Sequence, residues 1–463
     1  MLKGRARSLV ALCAALGAFL CVSVALVQDW TVLSAPTASA YSRVFAVSTE
    51  TAAPKCTVDP SLLQVYGRYG LRLSRMHEGS GYRVQRVLER LERGEHIKAA
   101  VIGGSVSSGH GMSKDGVPST YDAIKETWHT YVSSWLNQTY GPQDFINGAM
   151  AATDSGFFRF CWPERVRAEE QAPDLVFIEL DVNDVADETS RRGAESLVRS
   201  ILLLPNKPAV LFVGAFALVS QSGKDGILNG GDAHTPVAAF YDIPQISLRG
   251  PLLPALMQNH SLAQPWFNGD VRHIAAPLHR ALGDMVVAYL QEQRCASAAD
   301  EPFVPSELFP AQIFLGEVPS RLMRDKWDST IAHPTSPPTC RIAGATLEPF
   351  SISPGWSLYT FREVKTYLEA TAAGREIEFD VEVQDGGVGE VGIGFLRSPQ
   401  YKLGKAVCRV GGQEKVLDGN WTRKASLTEI EIVATGLAPG WYRVSCTTLD
   451  KARTFRIAAV VSA

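Results

Sequence analysis

Ser105 and His273 are two side chains of this sequence that could together perform acyl transfer. A serine hydroxyl attacks a carbonyl carbon when an imidazole takes its proton, and a carboxylate on the other ring nitrogen holds that imidazole in place. Asp270 stands three residues before His273, so a turn would bring its carboxylate to Nδ1 and leave Nε2 for the serine. This spacing also arises by chance, and His273 alone could equally be a core or helix-capping histidine.

A short apolar run at Ala99–Ile102 predicts a buried parallel strand, and Gly103 and Gly104 separate this strand from Ser105. Open α/β sheets carry their chemistry at the carboxyl ends of the strands, and glycines there let a substrate approach the backbone. Taken alone, the motif also fits a solvated serine in a crossover loop.

Three further stretches lie where predicted strands end or the last helix begins. The small-residue loop 148–156 offers backbone N–H groups, and Asn183 follows an apolar strand at 173–180. Asp270 and His273 come directly before a helix. Asn183 by itself could be a turn residue, but four such stretches in this order predict a serine active site at one edge of a sheet.

Strand-like and helical patterns alternate through the first half of the chain, which predicts a doubly wound α/β layer. Apolar residues at helical spacing, including Trp128 and Trp135, read as core positions. The predicted strands are 99–102, 144–147, 173–180 and 209–216, and the predicted helices are 82–93, 121–140, 195–204 and 277–293.

The character of the sequence changes after Cys295. Residues 297–344 are rich in proline and polar residues and predict a linker, and residues 345–463 alternate with period two between turn signals. That pattern is typical of an antiparallel β-sandwich. Its predicted strands are 376–383, 391–395, 429–433, 441–446 and 454–460.

The N-terminus predicts a membrane anchor. Basic residues in a cytosolic tail, 1–7, precede an uncharged run at 8–28 that is long enough to span a bilayer, and a stem follows at 29–60. We therefore expect a single-pass type II membrane protein with a lumenal or extracellular body, in the Golgi or at the cell surface. A signal peptide cleaved near 38–40, which would give a secreted protein, is the alternative.

Two further patterns agree with a body outside the cytosol. Asn137, Asn259 and Asn420 begin acceptor triplets for N-glycans. Six cysteines beyond the anchor form an even set compatible with disulfides, and we expect Cys408 to pair with Cys446 because both lie in strands of the same domain. None of these cysteines has the close spacing of a zinc or redox motif, so we expect no metal and no other cofactor.

Charge argues against a nucleic-acid partner. The net charge is −3 with 45 basic and 48 acidic residues, and no basic stripe is interleaved with aromatic residues. We therefore expect the partners to be an O-acylated glycan or small ester substrate and, through the N-terminal helix, a membrane.

The four stretches resemble the conserved blocks of the SGNH (GDSL-like) hydrolase superfamily, here of a membrane-anchored eukaryotic type with a C-terminal β-sandwich. The similarity runs through Gly103–Ser105, the loop after Asn147, Val182–Asp184 and Asp270–His273. It implies a flavodoxin-like three-layer α/β/α hydrolase domain, which we place at 61–296.

The resemblance also implies residue roles. Ser105 would be the nucleophile, His273 the base and Asp270 its orienter. The oxyanion hole would consist of the Ser105 N–H, the Asn183 side chain and one N–H of the loop after Asn147, for which we favour Ala152 and keep Gly148 as the second choice.

Two residues near these positions depart from the family pattern. Gly104 replaces the usual aspartate before the serine, which should matter little because that aspartate is outside the triad. Asp181 stands where the third block usually has glycine, and its side chain could crowd the pocket.

We therefore expect a serine esterase that removes O-acyl groups, foremost O-acetyl, from a carbohydrate through an acyl-serine intermediate. A lumenal polysaccharide O-acetyltransferase with the same triad is one alternative, and a non-catalytic glycan-binding surface protein is another. The sandwich would hold the polymer near Ser105, and Trp356, Trp421 and Trp441 could stack on sugars or simply be core residues.

Overall fold

A parallel sheet covered by helices forms the first half of the molecule. A computed structural model describes residues 57–112, 126–219, 228–296, 318–324, 326–327, 336–361 and 365–463. The predicted cytosolic tail, the anchor at 8–28 and nearly all of the stem lie outside these residues. None of the helices in the described part has the length and apolar character needed to cross a bilayer.

The sheet of this α/β domain has six strands. They are β1 (Arg75–His77), β2 (Lys98–Gly103), β3 (Asp144–Asn147), β4 (Leu175–Glu179), β5 (Ala209–Gly214) and β6 (Gln245–Ser247). Their order is β1-β6-β5-β4-β2-β3, with β1 antiparallel at one edge and the other five parallel. Counted in chain order, the parallel strands follow the sequence 2-1-3-4-5, which is the flavodoxin-like order.

Helices cover both faces of this sheet. They are α1 (Pro60–Leu73), α2 (Tyr82–Glu92), α3 (Trp128–Tyr140), α4 (Ser155–Val166), α5 (Glu188–Leu202), α6 (Gly230–Tyr241), α7 (Arg249–Gln258), α8 (Ala263–Phe267) and α9 (Ala276–Ala296). Alternate strand residues serve opposite cores: Val101 and Phe177 pack in one cluster, while Ile102 and Ile178 pack in the other. Two buried faces explain why these strands are almost continuously apolar.

Helix α4 is absent from the sequence-based expectations. Its sequence contains Phe157, Phe158, Phe160 and Trp162, whose side chains are all buried, so the helix has no polar face to reveal its period. Asp154 caps its N-terminus by accepting a hydrogen bond from the N–H of Phe157. This helix packs between the central sheet and the second domain.

The second domain is a two-sheet antiparallel sandwich. Its strands are β7 (Thr339–Ile342), β8 (Ser351–Ile352), β9 (Trp356–Phe361), β10 (Lys365–Ala370), β11 (Glu376–Val383), β12 (Val391–Arg397), β13 (Lys405–Val410), β14 (Gln413–Asp418), β15 (Leu427–Ala434), β16 (Gly440–Thr448) and β17 (Phe455–Ser462). One sheet has the order β15-β12-β17-β10-β9 with β7 beside β17, and the other has the order β14-β13-β16-β11-β8. Strand β7 lies inside the predicted linker 297–344, a difference explained by its pairing with β17.

A disulfide and a shared core join the two domains. Cys161 on α4 is bonded to Cys340 on β7, and Ile342 and Val461 belong to the same buried cluster as α4. The expected Cys408–Cys446 bond is confirmed between the paired strands β13 and β16. The sandwich is therefore an integral neighbour of the α/β domain.

Candidate active site

Ser105, His273 and Asp270 form one chain of hydrogen bonds at the carboxyl edge of the sheet. The Oγ of Ser105 lies 2.8 Å from Nε2 of His273, and Nδ1 of His273 lies 2.7 Å from Oδ2 of Asp270. Ser105 follows β2, while Asp270 and His273 lie in the turn between α8 and α9. The structure thus assembles all three predicted triad residues.

The partners of His273 define its tautomer. An ionised carboxylate only accepts hydrogen bonds, so Nδ1 donates to Asp270 and Nε2 accepts from the hydroxyl of Ser105. Burial alone would raise the pKa of Asp270, but the hydrogen bonds from His273 and from the N–H of Arg272 outweigh it and lower the pKa to about 2. The carboxylate is therefore charged across the physiological range and stabilises an imidazolium at His273.

Gly104 makes room for Asn183 beside the nucleophile. A Cβ at position 104 would lie 1.9 Å from Oδ1 of Asn183, so a side chain there would displace the amide. The absence of a side chain at Gly104 consequently has a structural reason that the sequence did not reveal. Asn183 is 3% exposed, and its buried Oδ1 has no hydrogen-bond partner within the described part of the chain.

Gly111 places the histidine and was missed by sequence reasoning. Its φ is +88°, and a Cβ there would lie 2.5 Å from the carbonyl oxygen of Ile274 and 2.8 Å from Cβ of His273. The loop after the nucleophile therefore packs directly against the turn that carries the base. In the sequence, the glycine itself is the signal that could have identified this position, because this backbone conformation is readily adopted mainly by glycine.

Three of the predicted oxyanion-hole donors have no acceptor among the residues that the structure describes. They are the N–H groups of Ser105 and Ala152 and the Nδ2 amide of Asn183. Ala152 adopts a left-handed backbone with φ 55°, which is uncommon outside glycine and asparagine. Unengaged donors around a nucleophile are what a developing oxyanion requires.

Gly148, the second choice for the loop donor, is wrong. Its N–H donates to the carbonyl of Val101 at 2.9 Å and continues the ladder of β3 along β2. The next two N–H groups are also engaged, that of Ala149 with the side chain of Asn147 and that of Met150 with the carbonyl of Gly103. Ala152 remains as the proposed donor.

Asp181 does not crowd the pocket, contrary to expectation. Its buried carboxylate accepts a hydrogen bond from Nδ1 of His234 at 3.0 Å, and Nε2 of the same ring donates to Asp184 at 2.6 Å. Burial alone would lower the pKa of His234, but these two carboxylates outweigh it and raise the pKa to about 9. The Asp181–His234–Asp184 cluster lies beneath Asn183 and holds its loop.

Across the described residues, no group of His, Cys, Asp and Glu has an arrangement that could hold a metal ion.

Glu179 supports the nucleophile loop from below. Its Oε2 accepts hydrogen bonds from the N–H and the hydroxyl of Ser107. Burial raises the pKa of Glu179 to about 8, and the hydrogen bonds from Ser107 lower it only in part. The group is consequently protonated at neutral pH and acts as a structural hydrogen-bonding residue beneath the loop that follows Ser105.

A cleft of about 560 Å³ opens beside the site between the two domains. Ser108, His110 and Ala152 line its floor, and His110 lies 5.4 Å from His273 between ring centroids. Its wall on the sandwich side includes Phe361 and Tyr401, whose rings meet edge to face. The cleft has apolar and aromatic walls close to the triad, as expected of a substrate site.

The remaining predicted residues lie on the surface or in the sandwich. Asn137, Asn259 and Asn420 are exposed, as glycan acceptors must be. Of the three tryptophans, Trp356 is buried, Trp421 lies between the guanidinium groups of Arg397 and Arg423, and Trp441 is 61% exposed. None of the three lines the cleft.

Comparison with known proteins supports the fold. No protein-family model and no curated protein matches the sequence. The chain is similar to a solved two-domain esterase (CEX) active on acetylated mannans, with 19% identity, 85% of this chain and 98% of the other covered, and a TM-score of 0.63. The structure of the same esterase co-crystallised with mannopentaose is 20% identical to this chain and has a TM-score of 0.61. The match covers 85% of this chain and 97% of the other. This likeness supports the two-domain fold, an α/β domain with the 2-1-3-4-5 sheet followed by a β-sandwich, as the sequence predicts.

Proposed function

We propose that this protein is a serine esterase that removes O-acetyl groups from a polysaccharide. The observation that carries the proposal is the hydrogen-bonded chain Ser105–His273–Asp270 with three unengaged donors around the nucleophile. Ser105 is 7% exposed, so the reaction takes place in a site with little water, where aligned donors stabilise charge strongly.

The geometry supports a two-step reaction. The hydroxyl oxygen of Ser105 attacks the acyl carbon while its proton moves to Nε2 of His273, and the carbonyl oxygen becomes an oxyanion bound by the N–H groups of Ser105 and Ala152 and by Asn183. Collapse of this intermediate breaks the bond to the sugar oxygen, which receives the proton from His273. Water then attacks the acyl-serine by the same route, and acetate leaves.

The cleft supports a polysaccharide as the substrate. Phe361 and Tyr401 offer aromatic surface for sugar rings, and Arg456 lies 5.5 Å from the ring of Tyr401. The similar two-domain esterase acts on acetylated mannans, and its likeness covers both domains of this chain. A chain of O-acetylated hexoses held between the domains would present an acetyl group to Ser105.

A fluorophosphonate probe and an acetate assay test the proposal together. We expect the wild type, but not Ser105→Ala, to react with the probe and to release free acetate from acetylated mannan. Product that forms only with a glycan acceptor and without free acetate would make the protein an acetyltransferase. A folded wild type that neither reacts with the probe nor releases acetate would contradict the enzyme proposal and favour a glycan-binding protein.

Removal of Tyr401 tests the substrate class. We expect Tyr401→Ala to raise KM for acetylated mannan several-fold and to leave the hydrolysis of p-nitrophenyl acetate unchanged, because the small ester needs no sugar platform. Phe350→Ala is the matched control, since Phe350 is a 59% exposed aromatic residue of the same domain that does not line the cleft. An equal rise of KM for acetylated mannan in both variants would contradict the proposal that the cleft binds the polysaccharide.

We also propose that the protein works outside the cytosol. The bonds Cys161–Cys340 and Cys408–Cys446, together with the disulfide-bonded Cys295, support an oxidising compartment. Endoglycosidase treatment should increase the electrophoretic mobility of the wild type but not that of a variant with Asn137, Asn259 and Asn420 all changed to Gln. This result would support a lumenal body. No change of mobility in the wild type would contradict glycosylation.

A further inference from the structure

The loop that carries the proposed Ala152 donor is also held through its carbonyl oxygens. Arg165 on α4 donates from Nε to the carbonyl of Gly148 and from a terminal nitrogen to that of Ala149, both at 3.1 Å. The carbonyls of Ala151 and Ala152 are held in the same way from the opposite domain. Two basic side chains, one from each domain, thus donate hydrogen bonds to carbonyl oxygens of this loop.

The second basic side chain is that of Lys365, the first residue of β10 in the sandwich. Its Nζ donates to the carbonyl of Ala151 at 2.8 Å and to that of Ala152 at 3.3 Å. The N–H of Thr428, on β15, also donates to the carbonyl of Ala152 at 2.9 Å. Lys365 is only 8% exposed and forms no salt bridge with a described carboxylate, so its hydrogen bonds to these carbonyls replace water.

The geometry of a peptide bond transmits this contact to the reaction. The carbonyl of Ala151 and the N–H of Ala152 belong to the same planar trans peptide and point in opposite directions. A donor that fixes the carbonyl therefore fixes the direction of the N–H. Burial lowers the pKa of Lys365 to about 7, and its amine can donate to this carbonyl in both its charged and its neutral form. A donor on the carbonyl also polarises the peptide, which makes its N–H a stronger donor.

We propose that Lys365 is a positioning residue for the esterase reaction, because it orients and polarises the peptide whose N–H, on Ala152, binds the oxyanion. The left-handed backbone of Ala152 is unfavourable for alanine, so the loop needs an external hold to keep it. The sandwich then contributes to catalysis itself as well as to substrate binding. This inference rests on the proposed esterase function.

Hydrolysis of p-nitrophenyl acetate by the full chain tests the role, since this ester is too small to depend on the glycan cleft. We expect Lys365→Met to lower kcat 10- to 100-fold with KM within about twofold, and to weaken inhibition by a boronic acid, which forms a tetrahedral anion on Ser105, by a similar factor. Lys365→Arg, which keeps a cationic donor, should recover most of the lost kcat. Lys415→Met is the control, because Lys415 is a half-exposed lysine of the same domain that binds only Glu431.

The outcomes separate the inference from the proposed function. An active wild type with an unchanged kcat in Lys365→Met, or with a loss confined to KM, would overturn the role of Lys365 and leave the esterase proposal intact. A wild type that is folded but inactive would overturn both. Where Lys365→Met does not fold, Lys365→Leu, which also lacks a donor, takes its place, and a folded Leu variant with wild-type kcat and boronic acid inhibition would likewise overturn the role.

Discussion

The molecule contains two carboxylate–histidine arrangements that differ in a way that decides what each can do. His273 has one carboxylate partner, Asp270, and its other nitrogen faces Ser105. The side chains of His273 and Asp270 are 19% and 22% exposed. His234 has a carboxylate on each nitrogen and is fully buried. One ring keeps a lone pair for a proton, whereas the other has both nitrogens donating.

The difference shows that an acid beside an imidazole does not make a base. Burial disfavours the charged ring, but its two carboxylate partners outweigh burial and raise the pKa of His234 to about 9, so the ring is already protonated at neutral pH and cannot accept another proton. Nε2 of His273 faces the hydroxyl of Ser105 instead of a second carboxylate, so it has a lone pair with which to accept the serine proton. We therefore expect the first arrangement to serve activity and the second to serve stability, and four substitutions test that division.

The largest effect should come from His273→Ala. Loss of the base should lower kcat by about 10⁴-fold or more, since triad members act as a unit. The free energy of unfolding should change little because the ring is partly exposed. Steady-state kinetics with p-nitrophenyl acetate and urea denaturation check the two expectations, and a strongly destabilised variant would give His273 a structural role.

Next in size is His234→Ala. Removal of the ring leaves the carboxylates of Asp181 and Asp184 buried and facing each other, so we expect a loss of about 3–5 kcal/mol in the free energy of unfolding. Urea denaturation measures this loss. Unfolding at the wild-type urea concentration would contradict the division between the two histidines.

Asn183→Ala should follow. Removal of one oxyanion donor typically lowers kcat by about 10²- to 10³-fold, and KM should stay near the wild-type value. Because Oδ1 of Asn183 has no partner, we expect no loss of stability. A fall in thermal stability without a fall in kcat would place Asn183 with the structural cluster below it.

The last substitution, Glu179→Gln, has an effect that depends on pH and is smallest near pH 4.5. The folded pKa of Glu179 is raised from 4.5 to about 8, so between these values the folded protein keeps a proton that the unfolded chain has released. This group therefore makes the wild type less stable as pH rises through that window, by at most about 1.4 kcal/mol per pH unit. Glutamine cannot ionise, so its advantage over the wild type should grow from pH 4.5 to 8 and then level off.

Denaturation of both proteins across this pH range gives the difference curve. A constant difference between Glu179→Gln and the wild type would show that the carboxyl group is already ionised in the folded protein, against the neutral form proposed here.

The triad could be predicted because its signals are local. Ser105 follows an apolar strand and glycines, and the spacing of Asp270 and His273 lets one turn join them. The β-sheet order was accessible through the family resemblance. The roles of these residues in catalysis stay predictions until the kinetic tests are made.

Other features depend on contacts between distant segments and left no local signal. His234 meets Asp181 and Asp184 only because α6 packs over the end of β4, so the sequence gave no reason to remove Asp181 from the pocket. Gly148 looked suitable because it is a glycine, yet the strand ladder already uses its N–H. Lys365 lies more than 200 residues from the loop it holds.

The Cys161–Cys340 bond and the buried cluster around it limit how this protein can be rearranged by recombination. Exchanging the C-terminal portion for an unrelated carbohydrate-binding module would expose the outer face of α4 and strip Cys161 of its partner. A folded chimera would therefore have to keep the native sandwich, or replace Cys161 and the apolar residues of α4 that face it as well.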